Sequence, residues 1–166
     1  MNTVKPRRWA SAYWNGDFYL IETFSGYRLY GRDPAGKKHT LQPDASAQEL
    51  GAAVLDALAH SRFLSLDQAK DFFDYTAGQE QYATWIKSLM TQHGYKTKRA
   101  LFKRMANCGI SLTMGEESMT IKPMRHDTLE GWVGAQKEGV EDVIFPADSS
   151  PEIVGQALLL AFSRCT

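Results

Sequence analysis

Four acidic residues in one short segment are the first candidates for a binding surface. Asp67, Asp71 and Asp74 are spaced at i, i+4 and i+7, and Glu80 follows shortly after. This spacing places the first three carboxylates on one face of a helix, where neighbouring like charges repel by roughly a few tenths of a kcal/mol per pair. The row is either a solvated helix face, on which the helix dipole favours Asp67, or a phosphate mimic for the basic cleft of a nuclease.

A second candidate is a run of basic residues that includes two aromatic side chains. The run consists of Lys96, Lys98, Arg99, Lys103 and Arg104, interleaved with Tyr95 and Phe102. Basic residues among aromatics are typical of nucleic-acid binding, because bases stack on the rings. Leu101 and Met105 in the same segment instead favour an amphipathic helix with a cationic outer side.

No spacing in the chain is typical of a catalytic or metal site. The four histidines are scattered, no glycine loop ends in Lys-Ser or Lys-Thr, and no G-x-S-x-G motif occurs. Cys108 and Cys165 lie far apart and fit neither a disulfide framework nor a zinc ligand set. We therefore expect no enzymatic activity, no catalytic residue, no metal and no cofactor. An enzyme would need a pocket that gathers histidine or cysteine from distant segments.

The composition is that of a globular domain in a reducing compartment. The chain has 166 residues, of which 43% are hydrophobic and 23% charged. No run approaches the roughly 20 apolar residues of a membrane span, and the basic first ten residues lack the apolar run of a signal peptide. Because two thiols in a chain of this length suit a reducing compartment, we expect a cytoplasmic protein without a membrane partner.

Charge is balanced overall but segregated along the chain. Nineteen basic residues match nineteen acidic ones, which disfavours a generic DNA-coating protein, and no nucleic-acid partner is expected. The net charge is +4 over residues 1–39, −4 over 40–95, +5 over 96–125 and −5 over 126–166. These blocks either form acidic and basic faces that steer a charged partner or neutralise one another in the fold.

A segment of the chain recurs at an offset of 104 residues. LQPDASAQELGAAVLDALAHS, residues 41–61, aligns with FPADSSPEIVGQALLLAFSRC, residues 145–165. Both copies carry apolar residues at i, i+3, i+4, i+7 and i+8, which predicts one helix after Ser46 and another after Ser150. Gly51 and Gly155 occupy the same place inside the two helices, where each costs about 1 kcal/mol. They indicate that each helix packs closely on backbone, with the other helix as one candidate.

Strand-forming sequence precedes each of these helices. Asn15-Gly16 predicts a type I′ hairpin over residues 13–19, followed by strands at 18–24 and 27–30 and an extended segment at 38–41. In the second copy, strands at 110–114 and 118–122 flank a turn, with further extended segments at 132–133 and 143–145. Helices are predicted at 66–75, at 79–93 with Gly94 as C-cap, and at 97–106.

These elements predict a single α+β domain over residues 1–166. Its antiparallel-rich sheet packs with helices, and two β–β–α halves, at about 9–62 and 107–166, flank a helical insert at about 64–106.

Four strings of the sequence resemble a family of bacterial contact-dependent growth inhibition (CDI) immunity proteins. They are SAYWNGDFYLIETFSGYRLYGRD, GKKHTLQPDASAQELGAAVLDALAHSRF, GYKTKRALFKRM and FPADSSPEIVGQALLLAFSRC, and the similarity runs from about Trp9 to Cys165. The resemblance implies a cytoplasmic protein that binds the toxin domain at the C-terminus of a large surface-delivered protein. Such toxins are commonly nucleases, and the complex covers their active site. In some pairs a toxin hairpin extends the immunity protein's sheet.

From the residues and the resemblance, we expect a cognate toxin domain, a nuclease, to be bound 1:1 and neutralised by occlusion of its active site. The candidate toxin-binding residues are Asp67, Asp71, Asp74 and Glu80 for charge complementarity, and Tyr13, Trp14, Asp17 and Tyr19 on an exposed hairpin edge for strand addition. The alternative is a nucleic-acid-binding regulator that uses the Lys96–Arg104 helix and loses affinity steeply with salt.

Overall fold

The structure is a computed structural model that describes residues 4–166. The strands are β1 (Arg7–Trp14), β2 (Tyr19–Gly26), β3 (Tyr30–Arg32), β4 (Lys38–Leu41), β5 (Ala106–Thr113), β6 (Ser118–Thr128), β7 (Gly131–Gly134) and β8 (Val143–Pro146). The α-helices are α1 (Ala47–Ala59), α2 (Leu66–Phe72), α3 (Tyr75–His93), α4 (Lys98–Phe102) and α5 (Pro151–Ser163). Within the described range, no helix has the length and apolar character needed to cross a bilayer.

The sheet is built outward from its central pair of strands, β1 and β5. These two run antiparallel, and the strand order is β3-β2-β1-β5-β6-β7. On one side β3 and β4 share the outer edge of β2, and on the other β7 and β8 share the outer edge of β6. Each half therefore has the same order of strands, and the predicted α+β fold with an antiparallel sheet is confirmed.

Different helices cover the two faces of the sheet. Ala10 and Ala12 of β1 pack with α1 and α5, whereas the neighbouring Tyr13 packs with α3 and α4 on the other face. This follows from the alternation of side chains along a strand. The second core is rich in large side chains, among them Phe18, Leu20, Trp85, Ile86, Leu89, Leu101, Phe102 and Met105. The helical insert thus forms the third layer of the molecule.

Helices α1 and α5 approach one another until their backbones touch. A Cβ atom on Gly51 would lie 1.7 Å from the carbonyl oxygen of Pro151, and one on Gly155 would lie 1.7 Å from that of Ala47. Only glycine fits at these two positions, which confirms the close approach on backbone that the repeated glycines predicted. Both helices begin as expected, after the N-caps Ser46 and Ser150.

The hairpin between β1 and β2 differs from the predicted type I′ turn. Trp14 pairs with Tyr19, so the loop has four residues, and of these only Gly16 has a positive φ, of 95°. The side chain of Asn15 is buried: it accepts a hydrogen bond from the Asp17 N–H (3.0 Å) and donates one to the carbonyl of Leu101 (3.1 Å). Asn15 therefore ties the loop to α4.

The helical insert also divides differently from the prediction. α2 ends at Phe72 and α3 begins at Tyr75, because the Asp74 carboxylate caps α3 by accepting a hydrogen bond from the Ala77 N–H (2.9 Å). The single helix predicted over residues 66–75 is therefore wrong at this junction. Gly94, with a φ of 74°, ends α3 as predicted. α4 is a single turn, since Ala106 already belongs to β5.

A buried carboxylate holds the turn between β3 and β4. The Asp33 side chain is 0% exposed, and Arg62, which follows α1, donates to both of its oxygens from Nε (2.8 Å) and Nη2 (2.9 Å). The Ser25 hydroxyl (2.6 Å) and the Ala35 N–H (3.0 Å) also donate to it. Burial raises the pKa of Asp33, but these hydrogen bonds together outweigh burial and hold the pKa below its usual value.

Replacing Gly51 by alanine is expected to lower the free energy of unfolding by about 1–3 kcal/mol, because the new methyl group collides with the backbone at Pro151. Urea denaturation of the purified protein measures the change. Gly78→Ala in α3 is the matched control. Its Cβ would meet nothing within 4 Å, so a gain of roughly 0.5–1 kcal/mol is expected. Equal changes in the two variants would show that α1 and α5 do not meet at Gly51.

Arg62→Ala is expected to lower the free energy of unfolding by about 1–3 kcal/mol at pH 7, because the buried Asp33 carboxylate loses two of its donors. The lowered pKa of Asp33 stabilises the fold above the unfolded value of about 3.9, and this stabilisation is lost as the pH falls through the folded value. The difference in the free energy of unfolding between the variant and the wild-type protein should therefore become smaller in acid. Urea denaturation at pH 7 and below pH 4 measures it.

The control for this prediction is Arg28→Ala, which removes an exposed arginine whose guanidinium lies 5.7 Å from the Tyr27 ring centroid. We expect a change of about 0.5 kcal/mol or less at either pH. If the free energy of unfolding of Arg62→Ala differed from that of the wild-type protein by the same amount at pH 7 and in acid, this would contradict the role assigned to Asp33.

Candidate functional site

A groove of about 890 Å³ opens between the β3–β4 segment and the helices α2 and α3. Residues 31–38 form one wall, and residues of the 72–88 segment form the other. We call it the α3 groove. The Asp33–Arg62 pair holds the strand wall in place, and the core side chains of α3 hold the helical wall.

The floor of the α3 groove is an ion pair between a buried glutamate and a partly exposed arginine, which lies on an aromatic ring. Glu22 is 3% exposed, and its Oε2 accepts a hydrogen bond from Arg32 Nε (2.6 Å) while its Oε1 accepts one from Trp85 Nε1 (2.7 Å). The Arg32 guanidinium lies 3.5 Å from the Trp85 ring centroid and also donates to the Tyr13 hydroxyl (3.2 Å). Since both Glu22 oxygens accept hydrogen bonds and Arg32 stacks on an aromatic face, the floor is electrically neutral and rigid.

Aromatic side chains line the rim on the helical side. Tyr75 is 76% exposed, Phe73 42% and Tyr82 37%. Tyr82 stacks on Trp85 at 5.9 Å between ring centroids, and its hydroxyl donates to Glu130 (2.7 Å). Burial raises the pKa of Tyr82, as does the Glu130 carboxylate that accepts its hydrogen bond, so the Tyr82 hydroxyl stays protonated and acts as a neutral donor. Exposed aromatic rings beside a fixed polar floor are characteristic of surfaces that bind other proteins.

The two walls of the groove carry opposite charges. Asp74 and Glu80 line the helical wall, and Lys37 and Lys38 line the strand wall. All four side chains are exposed. A ligand in the groove therefore meets acidic groups on one side and basic groups on the other.

The predicted acidic row is divided by the fold. Asp67 and Asp71 are exposed on α2, whereas Asp74 lies beyond the end of that helix as the N-cap of α3. The three carboxylates therefore do not share one helix face as predicted, because the chain changes direction at residues 73–74. Asp74 and Glu80 line the α3 groove, while Asp67 and Asp71 lie outside its lining.

The predicted hairpin residues do not form an exposed edge. β1 pairs with both β2 and β5, and β2 pairs with β1 on one side and with β3 and β4 on the other. Strand addition at this hairpin was therefore a wrong expectation, because its backbone groups are already paired.

The side chains of the hairpin are engaged within the protein. Tyr13 and Tyr19 are 6% and 7% exposed. Tyr13 lies beneath the groove floor, and Trp14 stacks on Tyr19 at 4.0 Å on the opposite face of the sheet. Asp17 is exposed at the loop, where it accepts a hydrogen bond from the Tyr95 hydroxyl.

The basic segment presents its charges to solvent but not its aromatic rings. Lys96, Lys98, Arg99, Lys103 and Arg104 are all exposed. Phe102 is 0% exposed in the second core, and the Tyr95 hydroxyl binds Asn15 and Asp17. The rings that would stack on bases are therefore occupied by the fold, and this arrangement matches the amphipathic interpretation of the segment.

Histidines from two elements meet at one carboxylate. Asp56 of α1 lies 2.7 Å from His39 Nε2 of β4 and 3.6 Å from His60 Nδ1. The hydrogen bond from His39 lowers the pKa of Asp56. Over residues 4–166, no group of three or more His, Cys, Asp or Glu side chains is placed to hold a metal ion.

Sequence reasoning missed the floor of the groove and most of its rim. Glu22, Arg32 and Trp85 lie on β2, β3 and α3, so their spacing in the sequence did not indicate that they would meet. Tyr82 and Trp85 both fall within the helix predicted at 79–93, but that prediction did not indicate that Tyr82 stays partly exposed while Trp85 is buried. The aromatic and acidic segment FFDYTAGQEQY, residues 72–82, was the signal that could have found the rim.

Comparisons with known proteins agree over nearly the whole chain. The family model described as "CdiI: CDI immunity protein" matches residues 8–165. The immunity protein CdiI-YPIII of Yersinia pseudotuberculosis serotype O:3 (strain YPIII) is 42% identical, with 99% of each chain covered.

Two solved structures share the fold. A CdiA-CT/CdiI toxin and immunity complex from Yersinia pseudotuberculosis contains a chain that is 41% identical, with a TM-score of 0.90, over 99% of this chain and 100% of that one. A protein of unknown function from Neisseria meningitidis is 38% identical, with a TM-score of 0.91, over 100% of this chain and 99% of that one. The chain described here belongs to the CDI immunity protein family.

Proposed function

We propose that this protein binds the C-terminal toxin domain of a cognate contact-dependent growth inhibition effector in the cytoplasm and neutralises it. The observation that carries the proposal is the full-length likeness to the Yersinia chain found in a toxin and immunity complex. With 41% identity and a TM-score of 0.90, this protein shares the fold of that chain over nearly its whole length. The protein acts by 1:1 binding that covers the toxin's active site, and not by chemistry of its own.

The α3 groove is the surface we propose for this contact. Its floor is fixed by the Glu22–Arg32 pair, so little conformational freedom is lost when a partner binds there. Its rim offers Tyr75 and Phe73, exposed aromatic side chains of the type that dominates protein interfaces. A preformed floor with an aromatic rim favours tight binding to another protein.

The acidic side chains of the helical wall favour a basic partner. Asp74 and Glu80 line the groove, and Asp67 and Asp71 on α2 add two exposed carboxylates to the same part of the chain. A nuclease presents a basic cleft to its substrate phosphates, so these carboxylates complement such a toxin and speed its association. The proposal therefore retains the four acidic residues and places the contact at the groove instead of at the β1–β2 hairpin.

Affinity capture of the tagged protein from its own strain, followed by a growth-rescue test, examines the function directly. We expect a stoichiometric toxin domain that stops growth when expressed alone and no longer does so when this protein is co-expressed. A toxin assay on purified components then shows whether its catalytic activity is lost in the complex. Capture of nucleic acid instead, or failure of every captured domain to be neutralised, contradicts the proposal.

Substitutions on the groove rim are expected to weaken toxin binding without unfolding the protein. Tyr75→Ala removes a largely exposed ring, and Glu80→Lys reverses a charge on the helical wall. Each should raise the dissociation constant roughly tenfold or more, and Glu80→Lys should act mainly on the association rate. Surface plasmon resonance at low and high salt measures both constants, and urea denaturation verifies the fold.

The matched controls lie outside the groove lining. Leu29→Ala removes an apolar side chain that is 74% exposed, and Glu116→Lys makes the same charge change in the β5–β6 turn. Neither should change affinity more than about twofold. If the groove variants bind as tightly as these controls while the toxin is still neutralised, the toxin binds another surface and only the groove assignment fails.

A further inference from the structure

The fold brings the two cysteines together, although they are 57 residues apart in the chain. Cys108 lies on the central strand β5, and Cys165 lies in the turn that follows α5. Their sulfur atoms are 3.5 Å apart, and Cys165 Sγ also contacts the carbonyl oxygens of Asn107 (3.4 Å) and Ala161 (3.5 Å). Because covalent disulfides need only a small further approach of the sulfur atoms, the two thiols are placed to be joined.

The two thiols differ in their access to solvent and in acidity. Cys108 is 0% exposed, whereas Cys165 is partly exposed. The hydrogen bond from Cys108 lowers the pKa of Cys165 to about 7, while burial raises the pKa of Cys108. A partly exposed thiol that ionises near neutral pH is the reactive partner of such a pair, and the buried thiol attacks second.

The other half of the molecule shows that packing alone does not require sulfur here. Ser61 stands at the repeat position of Cys165, where its hydroxyl donates to the Phe24 carbonyl (2.5 Å) and accepts from the Trp9 N–H (2.9 Å). Ala10 of β1 occupies the place that Cys108 has in β5, since Ala10 pairs with Ile110 and Ala12 with Cys108. Serine and alanine satisfy the same packing, so the thiol pair is a feature of the second half alone.

We propose that Cys165 and Cys108 form a redox pair that reduces a hydroperoxide and closes to an intramolecular disulfide. The Cys165 sulfur attacks the terminal oxygen of the peroxide, an S–O bond forms, the O–O bond breaks, and water or an alcohol leaves. The Cys108 sulfur then attacks the Cys165 sulfenic acid, the S–S bond forms, the S–O bond breaks, and the hydroxyl leaves as water with the Cys108 proton. The two thiols supply the two electrons that reduce the peroxide.

The disulfide joins the end of α5 to the middle of the sheet. The segment after α5 already pairs with β6, through hydrogen bonds between His126 N–H and the Thr166 carbonyl (2.8 Å) and between Thr166 N–H and the Met124 carbonyl (3.3 Å). A covalent link across 57 residues restricts the unfolded chain, so we expect the oxidised protein to be the more stable form. The inference is independent of any toxin, since the thiols lie outside the α3 groove lining.

Treatment of the reduced, full-length protein with a small excess of hydrogen peroxide tests the proposal. We expect loss of two hydrogens by intact mass, a peptide that joins Cys108 to Cys165, no free thiol, and a higher urea midpoint that dithiothreitol reverses. Two free thiols that persist while methionines are oxidised, or a disulfide formed only between chains, would overturn it.

Variants separate the two roles. Cys108→Ala should leave a sulfenic acid on Cys165 that dimedone traps. Cys165→Ser should react with peroxide at Cys108 at a rate at least roughly tenfold lower than that of Cys165. Urea denaturation verifies that each variant folds, and the wild-type peptide map decides the disulfide even where a variant does not. Equal dimedone labelling of the two variants would contradict the assignment of Cys165 as the first reactant.

Discussion

The contact of α1 and α5 at Gly51 and Gly155 is the constraint on which the rest of the fold depends. With no side chain between their backbones, the two helices fit together on one face of the sheet. Each helix belongs to one half of the chain, so their contact also fixes the position of one half relative to the other across β1 and β5. That face is then complete, and the helical insert covers the other face, where it forms a wall of the α3 groove.

The groove floor shows how a carboxylate is kept in the interior with both of its oxygens hydrogen-bonded. Glu22 accepts hydrogen bonds from Arg32 and Trp85, and Arg32 rests on the Trp85 ring. Removing any one of them leaves a buried charge or donor unsatisfied, which costs more than the pair contributes as a whole. The pair thus fixes the shape of the groove more than it adds to stability. Asp33 and Arg62 play the same part for the strand wall.

The sequence predicted what is local or repeated. Short-range rules predicted the N-caps Ser46 and Ser150, the glycine pair and the end of α3 at Gly94. The repeat at an offset of 104 residues gave independent evidence for the helices α1 and α5. Strand neighbours were not predictable in this way. β1 pairs with β5 about a hundred residues away, and this pairing produces no periodic pattern in the sequence. The exposed hairpin edge was predicted wrongly for that reason. The shared face of Asp67, Asp71 and Asp74 was wrong for a local reason, because Asp74 caps α3 instead of continuing α2.

The neutral floor of the α3 groove has a consequence for how the protein can change over evolutionary time. Because Glu22 and Arg32 cancel, the electrostatic field inside the groove comes from exposed rim residues such as Lys37 and Glu80, which have little part in the core. Under the toxin contact proposed for this groove, substitutions at the rim are expected to alter partner preference with little effect on folding. On that proposal, a lineage exchanges one partner for another through substitutions at exposed rim positions, while the core beneath them stays constant.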